Sequence, residues 1–216
     1  MCSSDLAYIV AIHIPIAGLS LLPLLRLPFV LEPMHIAFLE LIIDPACTLV
    51  FEAEEEEADA MRRPPRAPGE RLFAPRMVGL SMLQGAGVLA ILVAIFAIAL
   101  WRGHGETDAR ALTFTTLVIA NLSLIVTNRS WSRGVGSIVR LPNAAMWWVI
   151  SGTLLFLVLT LSVPFLRGLF HFSVLHPDDL ALCLAAGVFS VAWFEALKWI
   201  QRRRTKQTGP ISTPKP

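Results

Sequence analysis

Leu39-Glu40-Leu41-Ile42-Ile43-Asp44-Pro45-Ala46-Cys47 decides how this chain is read, because it sets two carboxylates and a proline inside an apolar run extending over 34–51. Helix positions four apart share a face, so Glu40 and Asp44 point the same way, one turn apart. Pro45 lacks the N–H that would bond the Leu41 carbonyl, and its ring pushes that turn open. Each ionised carboxylate at the centre of a membrane helix costs roughly 2.5–3.5 kcal/mol on insertion scales, so two cost about 5–7 kcal/mol. A bound cation is one way to offset that cost. A polar cavity or neighbouring side chains, serving packing alone, is the other. Acids inside an apolar span are by default candidates for a functional site.

The whole composition agrees with a membrane setting. Of 216 residues 55% are hydrophobic and 16% charged, and the mean hydropathy is +0.65, well beyond ordinary soluble domains. A net charge of +2, with no nucleic-acid motif and no interleaved basic and aromatic patch, gives no support for a nucleic-acid partner. Cys2, Cys47 and Cys183 are widely spaced without a CxxC pair, which suggests neither a disulfide framework nor a thiolate zinc site. Residues 1–6, Met-Cys-Ser-Ser-Asp-Leu, have no basic flank and precede no cleavage pattern, unlike a signal peptide. They are expected to be non-native sequence joined to a truncated gene.

Six apolar segments follow from the pattern: 7–25, 34–51, 77–101, 109–127, 143–166 and 180–200. Each approaches the roughly 20 residues a helix needs to cross the hydrocarbon core. The first holds Pro15, Gly18 and Pro23 and is expected to be kinked. Between the second and third, 52–76 is too charged for lipid, with an acidic run at 54–57 and then Met61-Arg62-Arg63-Pro64-Pro65-Arg66. The connections 52–76 and 128–142 and the tail carry clusters of Arg, whereas the other three connections hold Arg26, Arg102 and Arg167 singly. By the positive-inside rule the rich set is cytoplasmic, and both termini with it. Trp101, Trp131, Trp147, Trp148, Trp193 and Trp199 mostly fall near span ends, as interfacial anchors do. Residues 202–216 read as a disordered tail. The expected fold is therefore all-α, an integral membrane six-helix bundle in the lipid bilayer, multi-pass and most simply of a plasma or inner membrane.

The acid-bearing helix at 39–46, the acidic stretch after it and the Arg-Pro-Pro-Arg at 63–66 resemble, in that order, the sixth transmembrane helix and following cytoplasmic loop of cation-transporting P-type ATPases, the family of calcium pumps and sodium/potassium pumps. The resemblance covers 7–201 and implies transmembrane helices five to ten of such a pump. It places Asp44 at the family's cation-binding aspartate on helix six and Glu40 where calcium pumps have an asparagine ligand, making this pair the implied metal ligands. Asn121 falls about where calcium pumps place a glutamate ligand on helix eight.

The first segment departs from the family. Where asparagine and glutamate ligands commonly flank a proline, this chain reads His13-Ile14-Pro15-Ile16. Ca²⁺ prefers six to eight oxygens, so a proton or a single monovalent ion suits two carboxylates and an imidazole better. His13 is either a secondary contributor beside Asn121 or a neutral core residue bonded to a nearby carbonyl.

The resemblance also implies what this sequence does not hold. The Asp-Lys-Thr-Gly-Thr phosphorylation motif is absent, and there is no Gly-rich phosphate loop, nucleophile elbow or zinc motif. No cofactor is expected in this stretch; ATP and Mg²⁺ belong to a complete pump, whose N-terminal part, with cytoplasmic domains and four further helices, is the implied partner. The expected function is the ion-translocating membrane segment of an ATP-driven cation pump, with ligands Glu40, Asp44, the Leu41 carbonyl, Asn121 and His13 around the helix breaks at Pro45 and Pro15. A stand-alone six-helix secondary transporter with a proton relay, or a membrane accessory protein without transport, are the alternatives.

Overall fold

A proline in an apolar helix leaves one carbonyl without its amide, and the way the chain absorbs that defect twice shapes the bundle. The fold is taken from a computed structural model, which describes residues 3–53, 75–129 and 143–207. The acidic run at 54–57, the motif at 61–66, Trp131, Arg133, Arg140 and the tail from 208 lie outside the described residues, as do the side chains of Lys198 and Trp199.

All described elements are helical: α1 (Ser3–Ser20), α2 (Pro33–Pro45), α3 (Pro75–Trp101), α4 (Glu106–Asn128), α5 (Ala144–Ser162), α6 (Pro164–Leu169) and α7 (Pro177–Gln207). Five apolar helical stretches are long enough to cross a membrane, namely Pro33–Phe51, Met77–Trp101, Glu106–Asn128, Ala144–Ser162 and Pro177–Ala196. The apolar part of α1, Asp5–Ser20, is shorter. It passes Pro15 and ends at Ser20, before a 3₁₀ turn over Leu22–Leu25 that Arg26 closes in the left-handed conformation, φ 61°. The first segment is therefore not one helix to residue 25; Pro23 opens the tighter turn instead.

Two further boundaries differ from the sequence pattern for local reasons. The fifth segment is cut in two, because Val163 takes an extended conformation ahead of Pro164, as a residue preceding proline prefers. The sixth helix starts at Pro177 and runs to Gln207, beyond the expected end at 200. Asp178 and Asp179 lie in its first turn, where carboxylates favour a helix N-terminus.

The core is α4, which is 89% buried over its span and packs against α1, α3 and α7. It is also rich in hydroxyls, and most of these are satisfied within the helix, the buried Thr115 hydroxyl being the exception. Thr113, Thr116 and Thr127 donate to the carbonyls of Ala109, Leu112 and Ser123 at 2.7, 2.8 and 2.8 Å. Back-bonding of this kind lets a polar side chain sit in an apolar core without an orphaned donor.

Close helix approach is set by glycine. Pro15 removes the amide that would bond the Ala11 carbonyl, and that carbonyl lies against Gly85 of α3: a Cβ built on Gly85 would sit 2.5 Å from the Ala11 oxygen. Small residues let membrane helices approach at this distance. On the other side of the core, a Cβ at Gly187 of α7 would meet Ile119 at 2.6 Å.

This contact generates a prediction. Gly85→Ala should destabilise the chain by about 1–3 kcal/mol, the usual penalty for overpacking. Gly79→Ala, on the same helix with open space around it, should be neutral or stabilising by up to about 1 kcal/mol. Unfolding in mixed micelles measures both, and equal effects would remove the α1–α3 contact as the cause.

Candidate functional site

α2 carries the two acids along a helix that changes character below them. It is α-helical to Pro45 and continues as a wider π turn over Ala46–Phe51. Pro45 has no N–H for the Leu41 carbonyl, and the next amide, of Ala46, donates to Ile42 and Ile43. The Thr48 hydroxyl bonds the Asp44 carbonyl at 2.8 Å. The lower end of the turn is tied to α5 by Asn143, whose Nδ2 donates to the Val50 carbonyl at 3.0 Å while its Oδ1 accepts from the Met146 amide at 2.9 Å. π turns occur mostly as single turns inside α-helices, frequently at functional sites.

Glu40 is partly exposed and Asp44 exposed, so both face the open side of this bundle rather than its sealed core. His13 of α1 comes to them. Its Nδ1 bonds the Ile9 carbonyl at 2.8 Å, and its Nε2 lies 3.9 Å from Glu40 Oε1, with the two side chains 47% and 44% exposed. His13 is thus bonded to a nearby carbonyl, yet it is not a core residue. Cys47, half-buried, stands near enough to Asp44 and Glu40 to be acted on by their charges. Among the described residues no group of three or more His, Cys, Asp or Glu is gathered to hold a metal ion. Glu40 and Asp44 are therefore not part of a closed metal centre among the described residues.

Asn121 is fully buried at the middle of α4. Its Oδ1 accepts from the Tyr8 hydroxyl at 2.6 Å, and its Nδ2 meets no hydrogen-bond partner. Tyr8 is also fully buried and packs its ring 5.3 Å from that of Phe51 in the π turn. Asn121 is thus joined to α1, and through Tyr8 to the base of α2, with its oxygen already engaged. An apolar cleft of about 340 Å³ lies between α2 and α5, lined among others by Leu41, Pro45, Trp148 and Thr153, so the helix break opens onto it.

Sequence reasoning missed a polar cluster at the far end of α2. Arg110 of α4 is 8% exposed. It donates through Nε and Nη2 to the Phe29 carbonyl at 3.1 and 3.0 Å, and its Nη1 lies 3.0 Å from Glu32 Oε1. The other Glu32 oxygen lies 2.8 Å from His171 Nδ1. Burial raises the Glu32 carboxyl, but the His171 hydrogen bond and the Arg110 charge outweigh it and hold Glu32 below the usual carboxylate range. The available signal was the lone Arg110 inside the fourth apolar segment, since a charge in such a place implies a partner.

Comparison with known proteins shows what the chain is similar to. The family model described as "Cation transporting ATPase, C-terminus" matches residues 28–200. A calcium-transporting ATPase of Bacillus subtilis (strain 168) is 28% identical over 163 residues, covering 74% of this chain and 18% of that protein. The calcium-transporting ATPase type 2C member 2 of Mus musculus is 28% identical over 207 residues, 90% of this chain and 22% of its own length. Calcium-transporting ATPase 1 of Yarrowia lipolytica is 22% identical over 177 residues. The chain spans about a fifth of the length of these relatives.

The Tyr8–Asn121 bond is testable on the chain itself. Tyr8→Phe leaves the Asn121 amide buried with neither end satisfied, and a double-mutant cycle with Asn121→Leu should give a coupling of about 0.6–1.7 kcal/mol, the range for hydrogen bonds between membrane helices. Additive effects in that cycle would mean the bond does not join α1 to α4.

Proposed function

The chain belongs to the cation-transporting ATPase C-terminal family, and from that premise we propose that it forms the ion-translocating membrane segment of an ATP-driven cation pump, with Glu40 and Asp44 as ligands on a proline-broken helix. Phosphorylation machinery and the covering helices belong to the remainder of such a pump, consistent with the fraction of its relatives that this chain spans. That remainder packs over the open side of α1 and α2, where the acids lie.

One observation carries the reading. The Ile9 carbonyl can only accept, so His13 Nδ1 holds a proton and a neutral ring turns the bare Nε2 toward Glu40 Oε1 at 3.9 Å. Two electron-pair donors facing each other in an apolar span repel, and they become attractive only with a positive charge between or upon them. A transported cation between them supplies that charge. Asp44 adds a second carboxylate one turn below, and Pro45 leaves the Leu41 carbonyl available as a neutral ligand. Asn121, engaged by Tyr8, acts from behind by holding α1 against α4. The connection 52–76 transmits the state of the cytoplasmic domains to the lower half of α2. The family match favours this assignment over a stand-alone transporter or an accessory protein.

The test uses the complete pump. Glu40→Gln should raise the cation concentration for half-maximal phosphoenzyme formation by about 10- to 100-fold, equivalent to about 1.5–3 kcal/mol for one charged contact, and Asp44→Ala should abolish the cation-stimulated component. Undiminished stimulation in Asp44→Ala would overturn its role as a ligand. Pro45→Ala, which returns an amide to the Leu41 carbonyl, should weaken cation affinity while leaving expression intact; unchanged affinity would take that carbonyl out of the site.

A further inference from the structure

We infer that His35 is an acid-sensitive pin: it fixes the outer end of α2 to the 170–172 turn only as the neutral Nε2–H tautomer, and it releases both when protonated. The inference does not depend on the ion-site reading.

His35 is fully buried in the first turn of α2. Its Nδ1 accepts from the Glu32 amide at 2.9 Å, and its Nε2 lies 3.0 Å from the Phe170 carbonyl. A carbonyl can only accept, so Nε2 must donate, and an amide can only donate, so Nδ1 must be bare. One protonation state satisfies both. The ring is enclosed by aromatic neighbours, with centroids 4.9 Å from Phe114, 5.1 Å from Phe172 and 5.5 Å from Phe170. A proton added at Nδ1 would set N–H against N–H at Glu32, destroying the hydrogen bond by which His35 caps the start of the helix.

The charged groups that face the ring are Glu32 on its own turn, Arg110 on α4 and His171 on the turn before α7. Their signs separate the titrations. Glu32 is held below the usual carboxylate range by His171 and Arg110 against the opposing effect of burial, so its contribution is complete above that range and is lost only as pH falls through the lowered value. Protonating His171 strengthens its contact with Glu32, which tightens the cluster. Protonating His35 removes an acceptor and adds a positive charge beside Arg110, which loosens it. Acid loosening that disappears in His35→Gln, where Glu32, Arg110 and His171 are all retained, therefore belongs to His35.

The experiment places spin labels at Leu25→Cys and Val174→Cys, both exposed, on the full chain in lipid nanodiscs with the native cysteines replaced. Distance distributions are read by double electron–electron resonance between about pH 7.5 and 4. The unaltered His35 should give a narrow distribution at the upper pH and one broadened by several ångströms at the lower. His35→Gln, which supplies the capping-box side chain without a titrating proton, should stay narrow throughout, and His35→Leu should be broad throughout. An acid broadening in His35→Gln equal to that of the unaltered chain, or none in the unaltered chain, would overturn the proposal.

Discussion

Two carbonyls that proline deprives of their amides govern this bundle, and the surroundings treat them in opposite ways. Below Pro15 the Ala11 carbonyl is pressed against Gly85, where a Cβ would sit 2.5 Å away, so the defect is buried in a tight contact and α1 stays continuous. Below Pro45 no glycine closes on the Leu41 carbonyl. The helix widens into a π turn, and the break opens onto the cleft toward α5. An unsatisfied backbone group in an apolar medium costs several kcal/mol, and the two prolines leave that cost to be met in different ways.

The rest of the bundle makes that defect tolerable by being stiff around it. α4 supplies the stiffness: three of its threonine hydroxyls are tied within the helix, its single arginine is consumed by Phe29 and Glu32, and the buried amide of Asn121 is held by Tyr8. In water such polar groups would be ordinary surface. Here Arg110 and Asn121 tie α4 to other parts of the chain, because the alternative in hydrocarbon is an unpaired group.

Much of this was legible in the residues. The all-helical fold and most of its apolar spans follow from periodicity, and the change of helix type after Pro45 from the missing N–H, so local chemistry decides them. The ends of elements were less legible, because they depend on what the next residue permits: Val163 ahead of Pro164 cut the fifth segment, and Pro23 drew the first into a 3₁₀ turn. Partners distant in sequence were not legible at all. Nothing in the order of residues joins Tyr8 to Asn121, 113 positions apart, or His171 to Glu32, 139 apart. Only Arg110, a charge in an apolar segment, announced that a partner had to exist.

The ties on α2 are distributed unevenly, and this bears on how it can move. Its first turn is held by Glu32, Arg110, His35 and His171 to three other parts of the chain. Its last turn is held by Asn143 at Val50 and by Tyr8 packed on Phe51. Between them Pro45 removes a helix bond and the π turn lengthens the spacing of those that remain. A rod fixed at both ends and weakened at one point yields at that point, so any displacement delivered through the 52–76 connection is concentrated between Leu41 and Val50. Asp44 lies inside that interval and Glu40 just above it, within reach of His13. A small change of pitch there alters the separation of the two carboxylates and the exposure of the Leu41 carbonyl together, while the outer half of α2 and the whole of α4 stay where they are.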